Sequence, residues 1–338
     1  MAAAPPPPDH LPAFPVQVQY FDGCTDAELL CSVLRWCDSA QGSFWAAQPD
    51  IPRQMLELWS GSSVMVSNTV ELIAGCEALP PPSTGTGALA MLTPWLTRVG
   101  RTSWGLAFSI VVDGRPLANV ATVMVSVSPE DLTRSAPLPA ALLPLMEVVR
   151  ARGVAAAAAR GLRGPPSDLE DLARALPKPE EPEPADAYVW RSPVRVTDCD
   201  SFGHINNAKY ALLAEEARAV ATHACAYPPT AAPPPPRGCR GFYCTYTGQP
   251  QPFDELVVST WQLPVAPAGA AAAAAAAAAD GGVNGGHPGG EVTFAFRARV
   301  GQEVAATIVL RTVGGGLDPG TQSERARVGG SSSPAQRL

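Results

Sequence analysis

Apolar residues follow strand-like and helical patterns in an order that occurs twice along the chain. In the first half, the alternating segment 14–18 precedes a helical pattern from about 26 to 41, which Thr25 or Asp26 could cap. A second helical piece ends near Trp59, and four runs rich in Val, Thr, Ile and Trp then predict strands at 64–76, 88–99, 103–112 and 116–127. The pair Asp113-Gly114 predicts a hairpin turn between the last two strands.

The second half repeats this order. It predicts a strand at 188–197, a turn, a helix from about 206 to 224, and strands at 241–247, 256–263, 292–300 and 304–313. Sliding the halves so that Val16 meets Val194 also pairs Asp22 with Asp200 and Asp38 with Glu216. Chance would explain such short matches taken alone, but the shared order of elements favours an internal duplication.

Low-complexity segments divide the chain into two domains. We predict a tail at 1–11, a first domain at 12–150, a linker at 151–186, a second domain at 187–315 and a tail at 316–338. Segment 140–150 could form a helix if Pro144 lies in its first turn, whereas the acidic proline run 177–184 suits neither helix nor sheet. Segments 228–236 and 268–290 are predicted to be inserts, the second an exposed alanine-glycine hairpin.

Composition excludes several classes of function. The chain has 338 residues, of which 46% are hydrophobic, so it can bury a sizeable core. Its net charge of −7 gives no reason to expect nucleic acid as a ligand. The eight cysteines form no CxxC pair, which indicates a reduced compartment, and the four histidines form no metal motif, so we expect no metal. Without signal-peptide features or a membrane span, we expect a cytoplasmic protein, with the plastid as the alternative.

The polar turn between the strand at 188–197 and the helix after it carries the candidate chemistry. It places Asp198, Asp200 and His204 beside a helix N-terminus, where a carboxylate or imidazole base and an oxyanion site could serve acyl transfer. Counted from Ile205, Glu216 falls on the apolar stripe of the helix together with His223. A buried Glu216 would either be bonded to the turn or to His223, or support catalysis, and the two readings weigh equally.

The motif DxDxxGHxNNxxY, from Asp198 to Tyr210, resembles the signature of the 4-hydroxybenzoyl-CoA thioesterase superfamily and of plant-type acyl-ACP thioesterases. The following run 215–218 and, more weakly, segments 246–250 and 253–256 extend the resemblance. It implies an α+β fold of two hot-dog domains, each an antiparallel sheet that wraps a long helix. It also implies hydrolysis of acyl-CoA or acyl-ACP thioesters without a cofactor.

The resemblance assigns roles residue by residue. It implies that Asp200 is the nucleophile or the base for water, and that His204 and Glu216 complete the catalytic set. Plant-type enzymes have an asparagine where this chain has Phe202, which shifts weight from a plastid acyl-ACP enzyme towards an acyl-CoA thioesterase. A second group is expected to bind or orient substrate, although Asn206 and Asn207 are also read as residues that cap the helix and orient the turn. This group comprises Gly203, Asn206, Asn207 and Tyr210.

The first half lacks the histidine and most of the turn motif, so we expect it to be structural or to bind the acyl chain. The two domains are expected to pair face to face as an intramolecular pseudo-dimer that could associate further. Two other functions remain open. One is a catalytically silent acyl-binding or scaffolding protein, and the other is a hot-dog dehydratase or hydratase, for which no second His/Asp motif is found.

Overall fold

The computed structural model describes residues 11–18, 25–48, 62–76, 79, 88–200, 202–227, 238–264 and 291–313. Asp22, the end of the helical piece near Trp59, both predicted inserts and the tail 316–338 lie outside these residues. The first half contains β1 (Phe14–Gln17), α1 (Asp26–Ala46), β2 (Ser63–Leu72), β3 (Leu89–Val99), β4 (Ser103–Val112), β5 (Arg115–Ser128) and β6 (Asp131–Ser135). The middle contains α2 (Leu143–Ala159) and α3 (Asp168–Arg174). The second half contains β7 (Tyr188–Pro193), α4 (Lys209–His223), β8 (Cys239–Tyr246), β9 (Glu255–Gln262), β10 (Glu291–Val300) and β11 (Glu303–Val313).

One antiparallel sheet runs through both halves, in the order β1-β3-β4-β5-β2-β8-β11-β10-β9-β7, with β6 paired to β5. Each half places its first strand at an outer edge and the strand after its long helix at the centre. There β2 pairs with β8, so that Val70 lies opposite Phe242. The predicted α+β class with an antiparallel sheet is confirmed, and the two halves share one topology. It stays a prediction that each half forms a hot-dog unit in which its part of the sheet wraps its long helix.

Helix α1 begins where the sequence predicts, because Thr25 forms a capping box with Glu28. The Thr25 side chain accepts from the Glu28 N–H, and the Glu28 carboxylate accepts from the Thr25 N–H at 2.7 Å. The helix ends at Ala46 and not near residue 41, because Phe44 and Trp45 are buried and pack edge to face at 4.9 Å. Apolar residues of α1 share one core cluster with both Phe108 and Phe242, so a single core spans the halves.

The middle segment packs onto the sheet. Helix α2 continues to Ala159, beyond the predicted end near 150, with Pro144 in its first turn as expected. It continues because Ala156 and Ala157 are buried against Trp95 in a second apolar cluster. Leu169 of α3 fills the space beside Gly241, where a Cβ atom would lie 2.6 Å from Leu169 Cδ1.

Arg297 fixes the acidic proline run to the second half. Its side chain is 1% exposed and donates to the Pro177 carbonyl and, at 3.1 Å, to the Glu181 carbonyl. The Glu183 carboxylate lies 3.4 Å from Arg297 and 2.9 Å from Arg299. The run forms no helix or strand, as predicted, yet hydrogen bonds from the buried Arg297 side chain hold it in place.

Two further observations concern the described residues. None of the described helices is long and apolar enough to cross a membrane. No disulfide bond joins the seven described cysteines, which are Cys31, Cys37, Cys76, Cys199, Cys225, Cys239 and Cys244.

Candidate active site

Residues 198–200 and 202–206, called the Asp200 turn below, lie in a tight loop between β7 and α4. Cys199 and Ile205 face each other in an isolated antiparallel bridge. Between them the Asp200 N–H donates to the His204 carbonyl at 3.0 Å, and the Gly203 N–H donates to the Asp200 carbonyl at 3.1 Å. Gly203 has a φ of 82°, a left-handed conformation that favours glycine. The backbone thus brings Asp200 and His204 together.

A backbone hydrogen bond holds one oxygen of the Asp200 carboxylate, and the other oxygen lies near His204. Oδ1 accepts a hydrogen bond of 2.9 Å from the Phe202 N–H. Oδ2 lies 3.6 Å from His204 Nδ1, and the two side chains are 22% and 23% exposed. A carboxylate with a fixed orientation and partial access to solvent can act as a nucleophile or a general base. Phe202, at 71% exposed, stacks on the His204 ring with the ring centroids 6.0 Å apart.

Asn206 and Asn207 orient the turn. Asn206 Oδ1 accepts from the Ala208 N–H at 2.9 Å, and the Asn207 carbonyl accepts from the Tyr246 hydroxyl at 3.1 Å. Helix α4 begins at Lys209, three residues after the predicted start, and its N-cap, Ala208, makes no side-chain hydrogen bond. Neither asparagine is therefore its N-cap.

Tyr210 lies in the core below the turn. Its side chain is 2% exposed, and its ring centroid is 5.4 Å from that of Tyr246. Burial raises the pKa of the Tyr210 phenol. Tyr246 also accepts a hydrogen bond of 2.9 Å from Asn68 Nδ2, so a residue of the first half reaches the turn through Tyr246.

The expected burial of Glu216 is wrong. Glu216 is exposed, and its carboxylate lies 3.9 Å from Arg195 Nη2. The buried face of α4 is formed by Tyr210, Ala211, Ala214, Ala217, Arg218 and Ala221. The predicted stripe was displaced because it was counted from Ile205, which lies outside the helix. His223, expected on the same stripe, is also exposed. The structure does not bring Glu216 to the Asp200 carboxylate.

Asp38 of α1 is a site residue that the sequence analysis did not assign. It is partly buried, and its pKa is raised to about 7, first because burial disfavours its charge and second because the Asp200 charge repels it. The available sequence signal was its place on the apolar stripe of α1, four residues after Leu34. The first half therefore borders the Asp200 turn.

A separate cavity of about 410 Å³ lies where β2 and β8 meet the segment before α3. Arg163, Arg240 and Arg311 line it together with Glu71 and Glu291. Its charges are largely paired within the protein: Arg163 lies 2.8 Å from Glu71, and Arg311 lies 2.6 Å from Asp168. No predicted site residue lines this cavity, so the candidate chemistry stays with the Asp200 turn.

Two solved structures share this fold over almost the whole chain. A structure described as an oleoyl thioesterase (putative) from Lactobacillus plantarum superposes with a TM-score of 0.53 at 14% identity, covering 90% of this chain and 97% of that chain. The 12:0-ACP thioesterase from Umbellularia californica gives 0.53 at 13% identity, covering 89% and 93%. No family model and no curated protein sequence matches the chain. The resemblance to thioesterases is thus confirmed for the fold.

Proposed function

We propose that the chain is a thioesterase that hydrolyses acyl-CoA or acyl-ACP thioesters to a free acid and a thiol. The observation that carries the proposal is the Asp200 carboxylate, which the Phe202 N–H fixes at 2.9 Å beside His204 at 3.6 Å. This arrangement occurs at the start of a long helix, in a fold shared with solved thioesterases.

Asp200 attacks the thioester carbonyl or removes a proton from the attacking water. His204 helps to keep the carboxylate oriented, because its Nδ1 atom lies 3.6 Å from Asp200 Oδ2. Helix α4 starts directly after the turn, and its dipole favours the negative charge that develops on the carbonyl oxygen. Thioester hydrolysis by a carboxylate base or nucleophile requires no cofactor. Gly203, Asn206, Asn207 and Tyr210 act indirectly, by fixing the shape of the turn.

A panel of acyl-CoA and acyl-ACP substrates of increasing chain length tests this function. Purified protein is expected to release thiol from at least one of them, and the preferred carrier will show whether Phe202 marks an acyl-CoA enzyme. Tight binding of thioesters without thiol release would favour the silent acyl-binding protein instead. Loss of water from a hydroxyacyl thioester with the thioester intact would favour the dehydratase.

Replacing Gly203 with alanine should lower turnover while only modestly destabilising the fold. Alanine at a φ of 82° is strained by about 1 kcal/mol, although no atom lies within 4 Å of the added Cβ. Relief of that strain should tilt the turn and displace Asp200, which costs roughly tenfold or more in kcat. Urea denaturation and thiol release measure the two effects.

Gly114→Ala is the matched control, because Gly114 has a φ of 79° and an equally open surrounding in the β4–β5 hairpin. It should lose similar stability and keep its turnover. Equal turnover in the two variants would show that the geometry of the Asp200 turn does not limit the reaction.

A further inference from the structure

The central strand pair joins residues that correspond in the two halves. Asn68 and Tyr246 are 178 residues apart, the offset at which the halves align in sequence. Ser67 and Thr245, just before them, share this offset and lie directly opposite each other across β2 and β8. Asn68 itself lies opposite Cys244, so Tyr246, two residues further along β8, is its diagonal neighbour on the same face. Asn68 and Tyr246 therefore occupy corresponding positions next to one another.

These two side chains form a chain of hydrogen bonds that ends at the start of α4. Asn68 Nδ2 donates to the Tyr246 hydroxyl oxygen at 2.9 Å, and that hydroxyl donates to the Asn207 carbonyl at 3.1 Å. Because the hydroxyl carries a single proton, the bond received from Asn68 leaves that proton for Asn207. Asn207 directly precedes the N-cap Ala208, whose carbonyl is the first acceptor of a helix. Tyr246 therefore ties the chain to β8 just before α4 begins.

Asn206 connects this point to the Asp200 turn. Its N–H donates to the Asp198 carbonyl at 2.9 Å, and its side chain accepts from the Ala208 N–H at 2.9 Å. Asp198 lies two residues before Asp200 on the other side of the turn. A displacement of the Asn207 carbonyl would therefore reach Asp200 through bonds that the turn already contains.

Asn68 is a costly residue for the fold alone. Its side chain is 1% exposed, and its Oδ1 atom has no hydrogen-bond partner among the described residues. Its Nδ2 atom donates to Tyr246 and also, at 2.9 Å, to the Met65 sulfur, which is a weak acceptor. A buried oxygen without a partner destabilises the folded state, and an apolar side chain would avoid that loss. Stability alone therefore does not account for an asparagine here, whereas the bond to Tyr246 does.

We propose that Tyr246 is a positioning residue of the active site and that Asn68 orients its hydroxyl, an inference that rests on the proposed thioesterase activity. Neither side chain needs to touch the substrate. Tyr246 holds the start of α4, and with it the Asp200 turn, in the geometry that the reaction requires. The first half then contributes to turnover through Asn68, a role beyond the structural or chain-binding one that the sequence suggested for it.

The first test is Tyr246→Phe, which removes only the hydroxyl. Because the bond to Asn207 fixes the position of the reacting group, its loss should lower kcat for thiol release by roughly tenfold. The KM for the best substrate should stay within about twofold of the wild-type value, since the hydroxyl acts on the geometry of the reacting group and not on substrate binding. Thiol release over a range of substrate concentrations gives both constants.

Asn68→Leu removes the donor to Tyr246 and the unpartnered oxygen together. It should lower kcat by roughly threefold, because the Tyr246 hydroxyl is no longer oriented. Its midpoint in urea should equal or exceed that of wild-type protein, because the orphaned oxygen is gone. A purely structural asparagine would give the opposite pattern, with a lower midpoint and an unchanged kcat.

The double variant tests whether Asn68 acts through Tyr246. If it does, adding Asn68→Leu to Tyr246→Phe should lower kcat no further than Tyr246→Phe alone. Independent effects would multiply to a loss of roughly thirtyfold. A loss of that size would reject the role of Asn68.

Tyr227→Phe is the matched control. The Tyr227 hydroxyl forms a hydrogen bond of 2.8 Å with Thr260 and lies beyond the C-terminal end of α4, away from the Asp200 turn. The variant should lose comparable stability in urea and keep the wild-type kcat.

An active wild-type protein with an unchanged kcat in Tyr246→Phe would overturn the positioning role and leave the thioesterase proposal standing. Absence of thiol release by wild-type protein across the whole panel would overturn both. If Tyr246→Phe proved unfolded by circular dichroism, Asn68→Leu would decide. A folded Asn68→Leu protein with a lowered kcat would support the role, and one with the wild-type kcat would reject it.

Discussion

Asp200→Asn is expected to lower kcat for thioester hydrolysis by at least about a hundredfold, the usual scale for losing a positioned base. The amide that replaces the carboxylate can neither attack the thioester nor take a proton from water. The fold should survive, because an asparagine oxygen can still accept the hydrogen bond that Phe202 N–H makes to Asp200 at 2.9 Å. Thiol release and thermal melting, measured on the same preparation, separate the two effects.

Variants of Asp198 and His204 provide comparisons for the expected loss of kcat in Asp200→Asn. Asp198→Asn should lower kcat much less than Asp200→Asn, because Asp198 only stabilises the turn. Its carboxylate accepts a hydrogen bond of 3.1 Å from the Arg195 N–H and lies 3.7 Å from Lys209 Nζ. His204→Ala should lower kcat by an amount between those of Asp198→Asn and Asp200→Asn, since it removes the neighbour of Asp200 and not the base itself. Turnover near the wild-type value in Asp200→Asn, with melting unchanged, would reject the mechanism.

Asp26→Ala is expected to lower the free energy of unfolding by about 3 kcal/mol. Asp26 is 3% exposed at the start of α1, and its two oxygens accept from the Cys76 N–H at 3.1 Å and the Cys239 N–H at 3.0 Å. Alanine leaves both N–H groups without this acceptor and removes a negative charge from the helix N-terminus. Because Cys239 begins β8, the loss would also loosen the junction of the halves. Urea denaturation measures it.

Asp171→Ala serves as the control for Asp26→Ala. Asp171 also lies in the first turn of a helix, but its side chain is 62% exposed, so its removal should change the free energy of unfolding by no more than about 0.5 kcal/mol. Equal losses in the two variants would mean that the two backbone hydrogen bonds to Asp26 contribute little.

Local signals in the sequence predicted much of the fold. Thr25, one of the two residues predicted to cap α1, is its N-cap, and the Asp113-Gly114 hairpin is confirmed, with φ values of 48° and 79°. Runs of β-branched residues located most strands to within about two residues of their observed ends, since such residues suit a pleated, half-buried surface. The short strand β6 was missed because its sequence, Asp131–Ser135, is mostly polar.

The composition of the site depends on contacts that the local pattern does not encode. The motif from Asp198 to Tyr210 predicted the turn that brings Asp200 to His204. Asp38 is influenced by the charge of Asp200 because α1 packs against α4, a contact between distant parts of the chain. Glu216 was misplaced because polar turn residues before Lys209 were counted as helix, which rotated the predicted face.

The most direct test of the account is the fate of both halves of the thioester during multiple turnovers in water labelled with a heavy oxygen isotope. Mass spectrometry of the acid and a thiol assay together give the stoichiometry. The account predicts one free acid, carrying one solvent oxygen, for each thiol released. Thiol release with the acyl group retained on the protein, or no thiol release at all, would contradict it.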